Sequence, residues 1–336
     1  MTDATAARAR HRAVPGAVAD SAGVATPVSS GPIAVLPDGD RDVVAAVQEA
    51  GGVVAPLADS TRGIVWTAAS GADRLGATLD THPGIGWVQL PWAGVDAFAP
   101  LLERHRGDGR VWTSAKGAYA QPVAEHALML ALALLRELPR RVRATSWQAD
   151  ELGRSLYGAE VVILGAGGIA VELLRLLAPF GVRATVVRRR AEPVEGAFRT
   201  VPASALGDAL ERAEVVFVAA ALTGASRGML GAAEFARMPR GAVLVNVARG
   251  ALVDTDALVD ALRSGRLGGA GLDVTYPEPL PEGHPLWSMA GCIITPHVAD
   301  TDAMTVPLFA ERVRRNVVAF LGDGRFEGRV DLDAGY

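Results

Sequence analysis

"EVVILGAGGIAVELLRLLAPFG" (residues 160–181) changes character twice. A short run of β-branched and apolar residues leads into a glycine cluster, and beyond it apolar residues recur at helical spacing. That reads as strand, tight turn and helix. Gly165, Gly167 and Ala170 stand at the G-x-G-x-x-G/A spacing, with Gly168 and Ile169 between them. The first glycine permits the tight turn, the second lets the backbone approach a pyrophosphate, and the small third residue lets the helix lie close on the strand. The unpaired N–H groups at the helix N-terminus then face the phosphates. The spacing alone is a weak signal; placed between a strand and a helix it predicts a dinucleotide site.

The following strand, "ATVV" (184–187), runs into Arg188, Arg189 and Arg190. A carboxylate at this place holds the adenosine ribose of NAD and repels a 2′-phosphate, whereas a guanidinium pairs with the phosphate. Arg188 and Arg189 therefore predict NADP(H). NAD(H) is the alternative, if the run is only a solvated turn in an arginine-rich chain, in which Lys116 is the only lysine among 33 lysines and arginines.

Outward from this unit, short apolar runs alternate with helical patterns. On the N-terminal side stand "IAVL" (33–36), "GIVWTA" (63–68) and "GWVQLPWAGVD" (86–96), with amphipathic stretches between them. A helix apolar on most sides follows, from about Val123 to Leu138. On the C-terminal side come "EVVFVAAAL", "AVLVNVA", "GAGLDV" and "CIIT". Repeated β-α units imply parallel sheets covered by helices, so the chain is α/β with two doubly wound domains, the second of Rossmann type.

The bulk numbers agree with that reading. A length of 336 residues suits about two domains, and 50% hydrophobic with 21% charged residues is a globular composition. The net charge of −4 offers no reason to expect nucleic acid as partner. "ALMLALALL" (127–135) is half the length of the ~18 apolar residues that a membrane span needs. The first 30 residues lack the compact apolar core of a secretory signal, and Asp3 and Asp20 argue against a transit peptide. The expectations are a disordered extension over 1–30, a cytoplasmic protein and no membrane. Cys292, the single cysteine, excludes an internal disulfide and reads as a buried strand thiol; His82, His105 and His284 show no metal-ligand spacing, so no metal is expected.

Three later strand ends carry reactive side chains. "VLVNVARGALVD" (243–254) ends in Arg249, after Ala248. "GAGLDVTYPEPLPEGHPLW" (269–287) ends in Asp273, with Glu278 five residues on. "CIITPHVAD" (292–300) ends in His297. The carboxyl ends of an open parallel sheet border its ligand crevice. A carbonyl reduction needs this set: a proton donor, an acid that tunes it, and a cation that holds and polarises the substrate.

With "QLPWAGVD", "AQPVAEHALMLALALLREL", "LGAGGIA", "NVARGALVD", "LDVTYPEPL", "HPLW", "TPH" and "VDLDAGY" in order, the chain resembles the D-isomer-specific 2-hydroxyacid dehydrogenase family from about residue 32 onward. The glyoxylate/hydroxypyruvate reductase branch is the most similar, since it too replaces the acid after the second nucleotide-domain strand. The resemblance implies Arg249 as the substrate-binding arginine, His297 as the acid/base and Glu278 as its paired carboxylate. It puts Asp273 and Ala248 on the cofactor side, and gives the backbone of Ala93, Gly94 and Val95 to the substrate carboxylate. It further implies a discontinuous substrate domain (31–118 and 301–336), an inserted NAD(P)-binding domain (119–300), a small 2-oxo or 2-hydroxy acid as substrate, and a homodimer. One departure is Asp300, a carboxylate three residues past the histidine. Two further readings stay open: a nucleotide-binding sensor of the corepressor kind on the same scaffold, and a formate- or phosphite-type dehydrogenase.

Overall fold

The computed structural model describes residues 11–16 and 25–336. These form two compact units: the described residues up to Tyr119 together with Thr301–Tyr336, and Ala120–Asp300. The second unit is an insertion in the first, and each carries its own parallel sheet.

The first unit runs β1 (Ile33–Leu36), α1 (Arg41–Glu49), β2 (Gly63–Trp66), α2 (Ala72–Thr81), β3 (Trp87–Gln89), α3 (Ala99–Arg104) and β4 (Val111–Thr113). The strands pair in the order β1-β2-β3-β4, all parallel. Val54 adds a parallel bridge to Ile33, held by Ile33 N–H to Val53 O (2.8 Å) and Ala55 N–H to Ile33 O (3.1 Å). The chain thus steps to one side of β1 before crossing to the other, which makes the sheet doubly wound. Ile64, Trp66, Val88 and Leu90 pack there with Leu75, Leu79, Phe98 and Leu101 of the helices. Strands covered on both faces read as unbroken apolar runs, and all four residues of β2 are buried.

The second unit runs α4 (Ala120–Leu135), α5 (Leu138–Arg141), β5 (Glu160–Leu164), α6 (Gly168–Leu177), β6 (Arg183–Arg188), β7 (Arg199–Pro202), α7 (Leu206–Leu210), β8 (Val215–Val218), α8 (Ala232–Arg237), β9 (Ala242–Asn246), α9 (Thr255–Arg263), β10 (Leu267–Leu272) and β11 (Cys292–Ile294). Its seven strands lie in the order β11-β10-β9-β8-β5-β6-β7, again all parallel. The winding reverses at β5, so the crevice for a ligand opens beyond the carboxyl ends of β5 and β8. Val162, Leu164, Val216, Val218, Leu244 and Leu272 make one face of the core. Cys292 is buried within the same cluster, which pushes its thiol up to about 12.

Two expectations need correction. The helix expected to reach Leu138 ends at Leu135: Glu137 is left-handed at φ 54, and α5 begins anew. Pro139 explains this, because its ring collides with the carbonyl four residues back, that of Leu135. Strands β4 and β7 are absent from the sequence reading; β4 has only three residues, and β7 is a half-exposed edge strand with no alternation to reveal it. Much of the extension expected over 1–30, namely 1–10 and 17–24, lies outside the described residues. Within 11–16 and 25–30, Val14 N–H bonds Gly117 O (2.8 Å), Thr26 N–H bonds Gly324 O (3.2 Å), and Val14 is buried.

The chain returns to the first unit as α10 (Asp302–Leu321), which packs along α1. Asn316, fully buried, donates from Nδ2 to Gln89 Oε1 (2.7 Å) and accepts Glu327 N–H (2.7 Å), tying α10 to β3. Among the described residues no helix is long and apolar enough to cross a membrane.

Candidate active site

The turn after β5 leaves the start of α6 open. Gly165 has φ 107, and a Cβ there would overlap the Ala219 carbonyl, so only glycine fits. Gly167 is the N-cap of α6; no side chain caps it, and the space a Cβ would take is open. Gly168 begins the helix, Ile169 is half-buried, and Ala170 is buried where the helix meets the sheet. Free N–H groups at the end of a ten-residue helix, reached over bare backbone, suit a pyrophosphate.

Arg188 closes β6 and differs from the solvated turn that the sequence left open. Its side chain is only 9% exposed, with Nη2 3.4 Å from Glu192 Oε2 and Nη1 donating to Glu192 O (3.2 Å). Glu192 also stands 3.6 Å from Arg190, while Arg189 is exposed. The acid just past the strand end is therefore folded back onto the arginines.

Strand β9 ends in Asn246, a polar residue in an otherwise apolar run. Its side chain accepts Ala248 N–H (3.1 Å) and donates to Arg249 O (2.9 Å), which staples the turn that presents Arg249. Ala248 is buried and accepts Arg249 Nη1 (2.7 Å). A Cβ on Gly250 would overlap the Thr275 carbonyl, so the loop after β10 lies directly on this turn.

That loop carries Glu278, and its neighbour after β11 carries His297. The ring Nδ1 lies 2.6 Å from Glu278 Oε1, with both side chains nearly half exposed. A carboxylate only accepts, so Nδ1 holds a hydrogen and Nε2 is left for chemistry. His297 has φ 55, a left-handed backbone that costs a non-glycine residue about 1–3 kcal/mol and persists only where its surroundings hold it.

Asp273 does the holding. Only 2% exposed, it accepts Val298 N–H at Oδ1 (2.9 Å), Ala299 N–H at Oδ2 (3.1 Å) and the Thr295 hydroxyl at Oδ1 (2.6 Å). Its backbone oxygen accepts His297 N–H (2.8 Å). Thr295 in turn meets His126 Nε2 of α4 at 2.9 Å. The sequence offers little sign of this chain of contacts, since its members are separated by more than 140 positions from His126 to Asp273; the polar Asn246 amid "AVLVNV" was the legible hint.

Asp300 is half-buried. Burial pushes its carboxyl above the usual aspartate range; His297 pulls it back down, Asp273 raises it further, and Arg249 opposes. In the first unit, Ala93 is exposed, Gly94 half-buried and Val95 buried, while Trp92 lies edge-on to Tyr119 with ring centroids 5.8 Å apart. Among the described residues no group of His, Cys, Asp and Glu gathers as a metal site.

The second unit thus carries a glycine-rich turn at a helix N-terminus and an Arg–His–Glu set on one sheet. Residues 126–299 match the family model for the NAD-binding domain of D-isomer-specific 2-hydroxyacid dehydrogenases. The chain belongs to this family. A D-2-hydroxyacid dehydrogenase relative solved from Xanthobacter autotrophicus Py2, in complex with NADPH and MES, is 28% identical with a TM-score of 0.78, covering 92% of this chain and all of that one. The human glyoxylate reductase/hydroxypyruvate reductase is 35% identical over 206 residues, 59% of this chain and 63% of that protein. An uncharacterised protein of Corynebacterium melassecola is 40% identical over 265 residues, 76% of this chain and 86% of its own length. The D-2-hydroxyacid dehydrogenase fold therefore extends over both units.

Asp300 yields a sign-definite expectation. Its folded carboxyl holds a proton more tightly than in the unfolded chain, so stability falls as pH rises from the unfolded aspartate value, ~3.9, through the raised folded one. Asp300→Asn removes that loss. Its melting temperature should exceed the wild type's at about pH 7, and the gap should close below about pH 4. A gap that does not change with pH overturns the assignment.

Proposed function

We propose that this protein is an NAD(P)(H)-dependent oxidoreductase that interconverts a small 2-oxo acid and its D-2-hydroxy acid, as glyoxylate/hydroxypyruvate reductases do. The observation that carries the reading is the 2.6 Å pair of His297 Nδ1 with Glu278, which leaves Nε2 as the acid/base. Arg249, stapled on the turn that the Glu278 loop lies against, supports a substrate carboxylate held by a guanidinium fork.

In this reading Arg249 binds the substrate carboxylate and polarises the carbonyl, a task for which a planar fork suits better than an ammonium. The bound nicotinamide supplies or takes the hydride. Protonated His297 gives its Nε2 proton to the carbonyl oxygen, and Glu278 favours the imidazolium by charge and hydrogen bonding. The backbone of Ala93, Gly94 and Val95 is proposed, on the resemblance alone, to bind the same carboxylate. Gly165, Gly167, Gly168 and Ile169 receive the pyrophosphate, with Ala248 and Asp273 on the nicotinamide side.

Arg188 and Arg189 support NADP(H), as does the NADPH in the Xanthobacter relative. A homodimer, proposed here, is supported by the exposed Met129, Leu138, Val142, Trp147 and Tyr157 of the second unit, Trp147 being 95% exposed. A cytoplasmic location is proposed with it.

His297→Ala should lower kcat by about 10²–10⁴-fold on glyoxylate or hydroxypyruvate, the usual scale for a general acid. Full activity in that variant removes the assignment. Arg188→Asp should cut the NADPH/NADH preference by roughly ten- to a hundredfold, the worth of one charged hydrogen bond. An unchanged ratio means the arginines do not read the phosphate. Light scattering on the purified protein should give twice the chain mass, and a monomer refutes the dimer.

A further inference from the structure

His126 lies on α4, far in sequence from the catalytic loop, and the acid/base chemistry does not use it. Its side chain is 15% exposed and its Nε2 lies 2.9 Å from Thr295 Oγ1 and 3.6 Å from Asp273 Oδ1. The Thr295 hydroxyl has a single hydrogen. At 2.6 Å from an ionised Asp273 Oδ1 that hydrogen is committed to the carboxylate. The hydroxyl then accepts from His126, so Nε2 must carry a hydrogen. His126 thereby fixes the direction of every bond in the series: imidazole to hydroxyl, hydroxyl to carboxylate, and carboxylate to the N–H groups of Val298 and Ala299.

We propose that His126 is a positioning residue for the catalytic loop, acting through Thr295 and Asp273 to keep residues 296–299 in the conformation that brings the His297 ring to Glu278. This rests on the reading of His297 as acid/base. The same loop contains the left-handed His297, whose backbone has no local reason to stay there. Asp273 supplies the restraint, and its acceptor oxygens keep their alignment only while the Thr295 hydrogen is held toward Oδ1. Without a donor at Nε2 that hydroxyl is free to turn, and Oδ1 then bonds Val298 alone. The helix adds stiffness, because α4 packs on β9, β10 and α6 and cannot follow the loop.

The test needs three variants, read by histidine ring resonances, kcat and NADPH affinity. In protein labelled with ¹⁵N-histidine, the His126 ring should carry its hydrogen on Nε2; a bare Nε2 overturns the proposal whatever the substrate. His126→Leu should lower kcat about ten- to a hundredfold, the scale on which small misplacements act, and move the His297 ring resonances while leaving NADPH affinity within about twofold. His126→Gln, whose amide N–H reaches the same place, should recover most of both. Equal loss in Leu and Gln, or full kcat in Leu, overturns the proposal. If the leucine variant does not fold, Thr295→Val breaks the same link and must show the same kcat loss. Should His297→Ala keep its activity, the acid/base reading fails, and the His297 resonance shift in His126→Leu still tests the clamp.

Discussion

A single buried carboxylate, Asp273, organises the carboxyl end of the second sheet. A charge at 2% exposure is tolerable only when donors surround it, and here they come from the Thr295 hydroxyl and from the backbone of Val298 and Ala299. The carboxylate thereby stabilises a left-handed backbone at His297 that the residue would not keep by itself. The Arg249 turn depends on the same region, because Asp273 N–H bonds Asn246 O (3.0 Å) and Asn246 staples the turn. Loops that carry chemistry are thus held by polar groups at strand ends, where the ladder of the sheet runs out and its last N–H and C=O groups need partners.

The sheet order explains why the glycine turn and Arg249, Asp273 and His297 share one edge. Parallel strands all end on the same side, and the reversal beside β5 opens a crevice there. The glycine turn follows β5, while Arg249, Asp273 and His297 follow the three consecutive strands on the other arm. A fold that winds both ways from one strand therefore delivers a helix N-terminus and three side-chain-bearing loops to the same rim.

Charge near that rim is finely divided. His297 pairs with the exposed Glu278, and the half-buried Asp300 feels His297, Asp273 and Arg249 together. The Asp273 carboxylate is stabilised by its hydrogen-bond donors. Asp300 has none of comparable number and is driven toward its protonated form by burial. Glu192 plays an analogous part at the nucleotide end, where it covers Arg188 and Arg190.

Much of this was legible in the residues. Apolar runs such as "VVFV" and "AVLV" show buried parallel strands because side chains between two helical layers lose their contact with water. The glycine spacing, and the Arg, Glu and His that follow strands, stand in the sequence because bonding chemistry demands particular side chains at particular steps. Short or edge elements did not show: β4, β7 and the single bridge at Val54 are too brief or too exposed to impose a pattern. The end of α4 was misjudged because apolar periodicity continued past the steric block of Pro139. What only the tertiary structure decided is how distant polar groups satisfy one another: Glu192 on Arg188, and His126 through Thr295 to Asp273. Local pattern reports what each residue prefers, whereas these bonds exist because burial leaves a donor no acceptor but the one that folding happens to bring beside it.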